Sequence, residues 1–324
     1  MSPVTDALHD AVLTEALSGL NKPAGEQKTL PPWLFYDELG SHLFDQITTL
    51  PEYYLTRTER AILAKVAPSL PLHLIAAVTI AELGAGSASK TGILLREFAD
   101  HQQGLLYQPI DISPTALDEA AASIGAHIPG VTVAPQVANY TTETFTITRP
   151  PDHTILALYI GSSIGNFGPD EQVAILTNLR AHLEPGDALL LGVDLAPGPG
   201  KTPATLVAAY DDAAGITAAF NKNILTRLNR DLGTNFNLDN FAHRALWNPV
   251  DSRIEMHLES LIDQTVRIED HRIPFTAGET IHTENSYKFT DASLQTLLTD
   301  SGFALDQLHH DSARRFAVVL AEAV

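Results

Sequence analysis

The 324-residue chain contains no cysteine. That excludes disulfides, thiolate catalysis and cysteine-ligated zinc or iron–sulfur centres, and it is compatible with a reducing cytosol. Positive charge is scarce: 20 Lys and Arg stand against 39 Asp and Glu, a formal net charge of −19 that repels phosphate backbones and anionic lipid heads. Neither a nucleic-acid partner nor a membrane partner is expected. No apolar run approaches the roughly 20 residues that cross a bilayer. Met1 to Leu20 interleaves Asp6, Asp10 and Glu15 with apolar residues, so it lacks the basic start and unbroken apolar stretch of a signal peptide and reads as an amphipathic helix. A soluble, cytoplasmic protein is the expectation. Histidines are numerous, 13 in all, but they are scattered, and close pairs such as His309-His310 lack the i,i+4 spacing of a helical zinc site. Surface positions and no metal are expected for them.

What is present suffices for one large domain or two smaller ones, with 44% hydrophobic residues to build a core. From about Val78 to Asp194 the chain alternates short β-rich runs with helical patterns, the sequence form of a doubly wound parallel sheet. Strands are expected at Val78–Leu83, Gly104–Asp111, Val131–Val137, Thr154–Ile160 and Ala188–Asp194, several apolar throughout, as strands covered on both faces are. Ser113-Pro114 starts one helix, and Pro169 opens another that stops at Pro185-Gly186. After Asp194 the rhythm breaks at Ala196-Pro-Gly-Pro-Gly200. Thr205 to Arg230 then reads as one long helical stretch, and Arg253–Ser260 and Glu279–Phe289 read as strands of an inserted subdomain. The end returns to the first pattern, with a helix over Asp291–Ser301 and strands near Phe303–His309 and Arg315–Ala321. The link between those two strands is short enough that they must pair antiparallel.

The strongest local signal is Glu82-Leu-Gly-Ala-Gly-Ser-Ala-Ser-Lys90, where the first strand turns into a helix. Ligands of such sheets lie at the carboxyl ends of the strands, and glycines there allow a close backbone approach. A dinucleotide site calls for G-x-G-x-x-G, and the third glycine is missing after Gly84 and Gly86. Glu82 and Asp111 offer carboxylates to a cationic amino-acid head and a ribose diol, which suits S-adenosylmethionine. NAD(P) remains the competing cofactor.

Beside that turn stand Phe35-Tyr-Asp-Glu-Leu-Gly-Ser-His-Leu-Phe-Asp-Gln-Ile47, Leu50-Pro-Glu-Tyr-Tyr54, Thr56-Arg-Thr-Glu59, Pro109-Ile-Asp-Ile-Ser113 and Gly161-Ser-Ser-Ile-Gly-Asn-Phe167. Further along come Ala209-Tyr-Asp-Asp-Ala-Ala-Gly215, Phe220-Asn221, Arg253-Ile-Glu-Met256 and Thr283-Glu-Asn-Ser286. Taken together over nearly the whole chain, they resemble the histidine-specific Nα-methyltransferases of ergothioneine biosynthesis. The resemblance implies an α/β fold: a Rossmann-like class I methyltransferase sheet with terminal antiparallel strands, plus a second, α+β substrate domain. The substrate domain would comprise residues 1–57 and 197–286, and the S-adenosylmethionine domain residues 58–196 and 287–324. It further implies stepwise methylation of L-histidine at its α-amine to the trimethylated product, hercynine; a monomer is expected. Glu82, Gly84, Gly86, Lys90, Asp111, Asn139 and Tyr140 would surround the cofactor. Tyr36, Tyr53, Asn166, Tyr210, Met256, Glu284 and Ser286 would surround histidine, with Tyr36 and Asn166 orienting the reacting amine. The chain departs from the family at the adenine end, where Asn139 and Tyr140 stand for an aspartate and a phenylalanine. An amide oxygen can still accept from the adenine amine there, and the ring stays aromatic.

Period-two geometry puts Glu284 and Ser286 on one strand face, together with His282 and Lys288. Glu284 can accept from one imidazole N–H while Ser286 serves the other nitrogen; the plain alternative is an exposed Glu284–Lys288 ion pair. Three rival functions remain: N-methylation of tryptophan or another aromatic or imidazole amino acid, which Glu284 disfavours; a noncatalytic nucleotide-binding regulator; and an NAD(P)-dependent oxidoreductase. S-adenosylhomocysteine or NADH raising the melting temperature would separate the cofactors.

Overall fold

The structure is a computed structural model that describes residues 3–324 apart from Ile75, Ser87 and Thr142, with side chains described from His9 onward. The chain divides into two compact units, one of residues 1–54 and 202–286 and the other of residues 55–201 and 287–324. Met1 and Ser2 of the expected N-terminal helix, and Ser87 of the glycine turn, lie outside the described residues. Among the described residues no helix is long and apolar enough to cross a membrane.

The second unit holds an eight-stranded sheet. In spatial order its strands are Phe303–His310, Phe316–Ala323, Ala188–Asp194, His153–Tyr159, Ala77–Leu83, Leu105–Asp111 and Val131–Val133, with Gln136–Val137 also paired to Leu105–Asp111. The inner strands are parallel. Phe316–Ala323 runs antiparallel to both of its neighbours, and the short preceding link requires this of its pairing with Phe303–His310. Ala81, Leu83, Ile110, Leu189, Leu191 and Val193 help fill one core cluster, in which each buried leucine, isoleucine or valine side chain contributes about 1.5–3 kcal/mol. The strand expected over Val131–Val137 is two pieces, because Pro135 has no N–H for the ladder. Ser113 caps the Pro114–His127 helix, its hydroxyl accepting from Ala116 N. The Pro169–Arg180 helix ends sooner than Pro185 because Asp187 turns the chain, accepting from Glu184 N at 2.7 Å.

The first unit has a four-stranded sheet in the order Lys28–Thr29, Thr280–Tyr287, Arg253–Ser260, Phe241–Asn248, and a separate hairpin of Gln264–Ile268 and His271–Phe275. The Pro3–Leu20 helix buries Val12, Ala16 and Leu20, one row at i,i+4 spacing. The single helix expected over Thr205–Arg230 is instead two, Pro203–Tyr210 and Ile216–Leu232. Between them Gly215 takes φ +75°, and the Asp212 carboxylate accepts from the N–H groups of Ile216 and Thr217, starting the second helix. Arg253–Ser260 has the expected bounds, but His257 is buried, because the His282 ring of the neighbouring strand stacks on it while Arg253, Glu255 and Glu259 on the same face stay half-buried.

Candidate active site

In the second unit the Ala77–Leu83 strand ends at Gly84, whose N–H donates to the Ile110 carbonyl at 2.8 Å. Gly84 and Gly86 have φ of +65° and +51°, a region that side-chained residues seldom adopt. A Cβ on Gly84 would also stand 3.3 Å from Tyr140 Oη. Asp111, at the end of its strand, accepts from Gly86 N and Ser113 N, both at 2.9 Å, so one carboxylate ties the glycine turn to the next helix. These features fit S-adenosylmethionine: a cradle open for lack of side chains, an acidic strand end for a ribose diol, and an aromatic ring close by. Burial pushes the Tyr140 phenol up to about 12, and Tyr140 stands edge-on to Tyr159.

Three of the expected cofactor residues are engaged within the protein. Lys90 Nζ lies 2.5 Å from Glu59 Oε2, and Glu59 Oε1 accepts from Gly161 N at 2.7 Å. Glu59 fills the space over Gly192, where a Cβ would meet its Oε1 at 2.0 Å. Sequence reasoning gave Glu59 no role, although it sits in the Thr56–Glu59 run. Asn139 Oδ1 accepts from Thr141 N and Oγ1, so accepting from an adenine amine would compete with that turn. Glu82, expected to meet an amino-acid head, is turned inward. It is 2% exposed and accepts from the Thr91 and Tyr107 hydroxyls.

Burial pushes the Glu82 carboxyl up to about 7, against the opposing pull of those hydroxyls. A folded value above the ordinary 4.5 means that the folded chain holds this proton more tightly than the unfolded chain does. Glu82 therefore favours the fold fully below about pH 4.5, and that contribution fades as pH rises to about 7. Glu82→Gln is expected to lose less stability than the parent between about pH 5 and pH 8, by on the order of 3 kcal/mol. Urea midpoints at the two pH values check this; equal losses in both proteins would refute it.

Asn166 ends the 3-10 turn Ser163–Asn166 that follows the His153–Tyr159 strand, and is half-buried. A Cβ on the preceding Gly165 would meet the Tyr287 carbonyl at 2.7 Å, which holds this turn close to that backbone.

In the first unit, an aromatic chain joins the three tyrosines singled out in the sequence. Tyr36 stands edge-on to Phe44 at 5.9 Å, Phe44 to Tyr53 at 6.4 Å and Tyr53 to Tyr210 at 6.1 Å. Tyr210 Oη lies 2.8 Å from Ser286 Oγ. Phe220 completes the cluster against Tyr36 and Phe44. Phe44 and Phe220 were not assigned roles from sequence, although both lie in runs that carry the resemblance. Asp37 fixes the helix that carries Phe44: it accepts from Gly40 N and Asn223 Nδ2, and Arg230 bonds its other oxygen. Glu284, Ser286 and Met256 are all buried.

The plain alternative for Glu284, an exposed ion pair with Lys288, does not hold: the strand ends at Tyr287, and Lys288 is buried in the second unit, 2.9 Å from Asp194. Nor do the histidines all lie on the surface. His243 and His257 are buried, and His257 stacks on His282 at 4.6 Å while its Nε2 lies 3.1 Å from Glu255 Oε2. Glu255, His257 and His282 bring donor atoms within 4.8 Å of one another. No linear spacing reveals that cluster, because neighbouring strands assemble it. Arg253 and Asn248 hold Glu255, whose carboxyl is lowered to about 2 by these bonds and the one from His257, against the opposing effect of burial.

A sequence profile described as histidine-specific methyltransferase, SAM-dependent, matches residues 12–323. The histidine N-alpha-methyltransferase of Mycolicibacterium smegmatis is 39% identical over 318 residues, covering 98% of this chain and 96% of that protein. The protein of the same name from Mycobacterium tuberculosis is 38% identical over 322 residues, covering 98% and 96%. Among solved structures, the mitomycin 7-O-methyltransferase MmcR is similar in fold, with a TM-score of 0.50 and 13% identity over 100% of this chain and 69% of that one. The NAD(P) reading is thereby set aside: the chain belongs to the family of histidine-specific, S-adenosylmethionine-dependent methyltransferases.

Proposed function

We propose that this chain methylates the α-amine of L-histidine stepwise to Nα,Nα,Nα-trimethylhistidine, hercynine, the first step of ergothioneine biosynthesis. The observation that carries this reading is the buried Glu284 and Ser286 on one strand, with Tyr210 Oη 2.8 Å from Ser286 Oγ, in a chain aligned end to end with histidine N-alpha-methyltransferases. An imidazole has two nitrogens to satisfy, and a carboxylate with a hydroxyl satisfies both. The first unit is the histidine domain and the second the S-adenosylmethionine domain. Gly84, Gly86, Asp111 and Tyr140 would hold S-adenosylmethionine, which when bound would supply an electrophilic methyl group.

The protein's task is then to present a neutral amine lone pair in line. The family resemblance assigns Tyr36 and Asn166 to orienting that amine, and in the first unit Tyr53 and Tyr210 offer hydroxyls to the substrate without adding a cation. Water or Tyr36 takes the proton released before each transfer. The displacement needs neither a strong base nor a metal.

Incubation of the purified protein with S-adenosylmethionine and all the standard amino acids, read by mass spectrometry, tests this. Trimethylated histidine alone is expected. Methylation of tryptophan, or of no amino acid, overturns the substrate assignment.

A further inference from the structure

Asn221 follows Phe220 in the Ile216–Leu232 helix and is fully buried. Its Nδ2 donates to His243 Nδ1 at 2.8 Å and to the His257 carbonyl at 3.0 Å, and its Oδ1 accepts from Thr283 Oγ1 at 2.7 Å. A backbone carbonyl can only accept, so the amide orientation is fixed. His243 Nδ1 must then be the acceptor and Nε2 must carry the proton, which it donates to the Tyr210 carbonyl at 2.8 Å. Tyr210 is the last residue of its helix, where carbonyls have no donor within the helix. Thr283 directly precedes Glu284, and its Oγ1 also lies 3.0 Å from the Met256 carbonyl.

One amide thus reaches the strand of Glu284 and Ser286, the strand of Met256 and, through one imidazole tautomer, the helix end that carries Tyr210. Resting on the histidine reading above, we propose that Asn221 is a positioning residue for the substrate: through His243 and Thr283 it sets the spacing between Tyr210 and the Glu284–Ser286 strand. An apolar residue of similar size would fill the space but leave His243 free to take the other tautomer and release the Tyr210 carbonyl.

Asn221→Asp is the sharpest probe, because it keeps the shape and the bond from Thr283 but puts an acceptor opposite His243 Nδ1. A neutral His243 can then serve either that carboxylate or the Tyr210 carbonyl but not both, so the two bonds are made together only when His243 takes a second proton. The charged groups facing His243 are Asp211, 3.9 Å from Nε2, and Asp212, which favour that proton, and Arg244, which opposes it. The native enzyme and the variant are compared by kcat/KM for histidine across pH; taking their ratio cancels the titration of the substrate itself. The variant is expected to be about 100-fold poorer at about pH 9 and to recover at least about tenfold of that by about pH 6.5, with S-adenosylmethionine affinity within about twofold of native.

Thr283→Val and Thr283→Ser provide a second test should the aspartate variant fold poorly. The valine is expected to raise KM for histidine about tenfold with little change in kcat, and the serine to restore it. A ratio that does not change with pH in folded Asn221→Asp, or a native KM in Thr283→Val, overturns the inference. Absence of histidine methylation by the native enzyme would overturn the functional assignment instead, so the two failures are distinguishable.

Discussion

Glu284→Ala is expected to lower kcat/KM for histidine by about 100-fold or more while leaving S-adenosylmethionine affinity within about twofold. Glu284 is 9% exposed, two residues from the 3% exposed Ser286 on the same strand face. A charge-assisted bond to an imidazole N–H there is shielded from water. Its loss leaves a polar group of the substrate unsatisfied, which costs about 1–3 kcal/mol, and the bond to a charged acceptor lies at the upper end. Glu284→Gln keeps one acceptor oxygen and should fall between alanine and the native enzyme. The alanine variant should also discriminate less between histidine and aromatic amino acids that have no ring N–H to satisfy, since the penalty it removes is specific to the imidazole. Steady-state kinetics with histidine and phenylalanine, together with calorimetric titration of S-adenosylmethionine, read both effects. Histidine kinetics within twofold of native would remove Glu284 from the substrate site.

The parallel sheet was legible because its inner strands read as apolar runs, most of them separated by a helix with its own start signal, such as Ser113-Pro114, although no helix lies between Gln136–Val137 and His153–Tyr159. The terminal antiparallel pair was legible from the length of its link. Less legible were breaks made by one or two residues: Pro135 splitting a strand, and Asp212 with Gly215 splitting a helix whose flanks both keep helical periodicity. In the candidate site, the glycine turn and the tyrosines could be found from local runs. The direction a buried carboxylate faces could not. Glu82 sits before the glycines as a ligand-binding acid would, yet its partners Thr91 and Tyr107 come from the following helix start and the neighbouring strand. Cross-strand assemblies escaped for the same reason: His257, His282 and Glu255 meet only once their sheet has formed.

Asp194→Ala is expected to destabilise the protein by about 3–5 kcal/mol at neutral pH. Asp194 ends the Ala188–Asp194 strand where the chain leaves the second unit's sheet, and Phe289, just after the chain re-enters, donates its N–H to the Asp194 carbonyl at 3.0 Å. The Asp194 carboxylate binds Lys201 at 2.7 Å and Lys288 at 2.9 Å, one from each stem of the insertion, and all three side chains are 0% exposed. Burial, reinforced by the neighbouring Lys288 and opposed by Asp194, lowers Lys201 to about 8. A folded value below the ordinary 10.5 means that folding releases this proton, so the group's contribution to stability rises with pH from about 8 to 10.5. Without the carboxylate the two ammonium groups lose the charge that offsets their desolvation, and Lys201 is driven further toward its neutral form. The defect of Asp194→Ala should therefore shrink as pH is raised from about 7 to about 10. Adding Lys201→Met should recover part of it at neutral pH, because an apolar side chain of similar length needs no counter-charge. Urea unfolding of the single and double variants at both pH values measures this. A single-variant loss below about 1 kcal/mol at neutral pH, or one that does not change with pH, would mean that water reaches these lysines and that the backbone pairing of Asp194 with Phe289 alone holds the stems together.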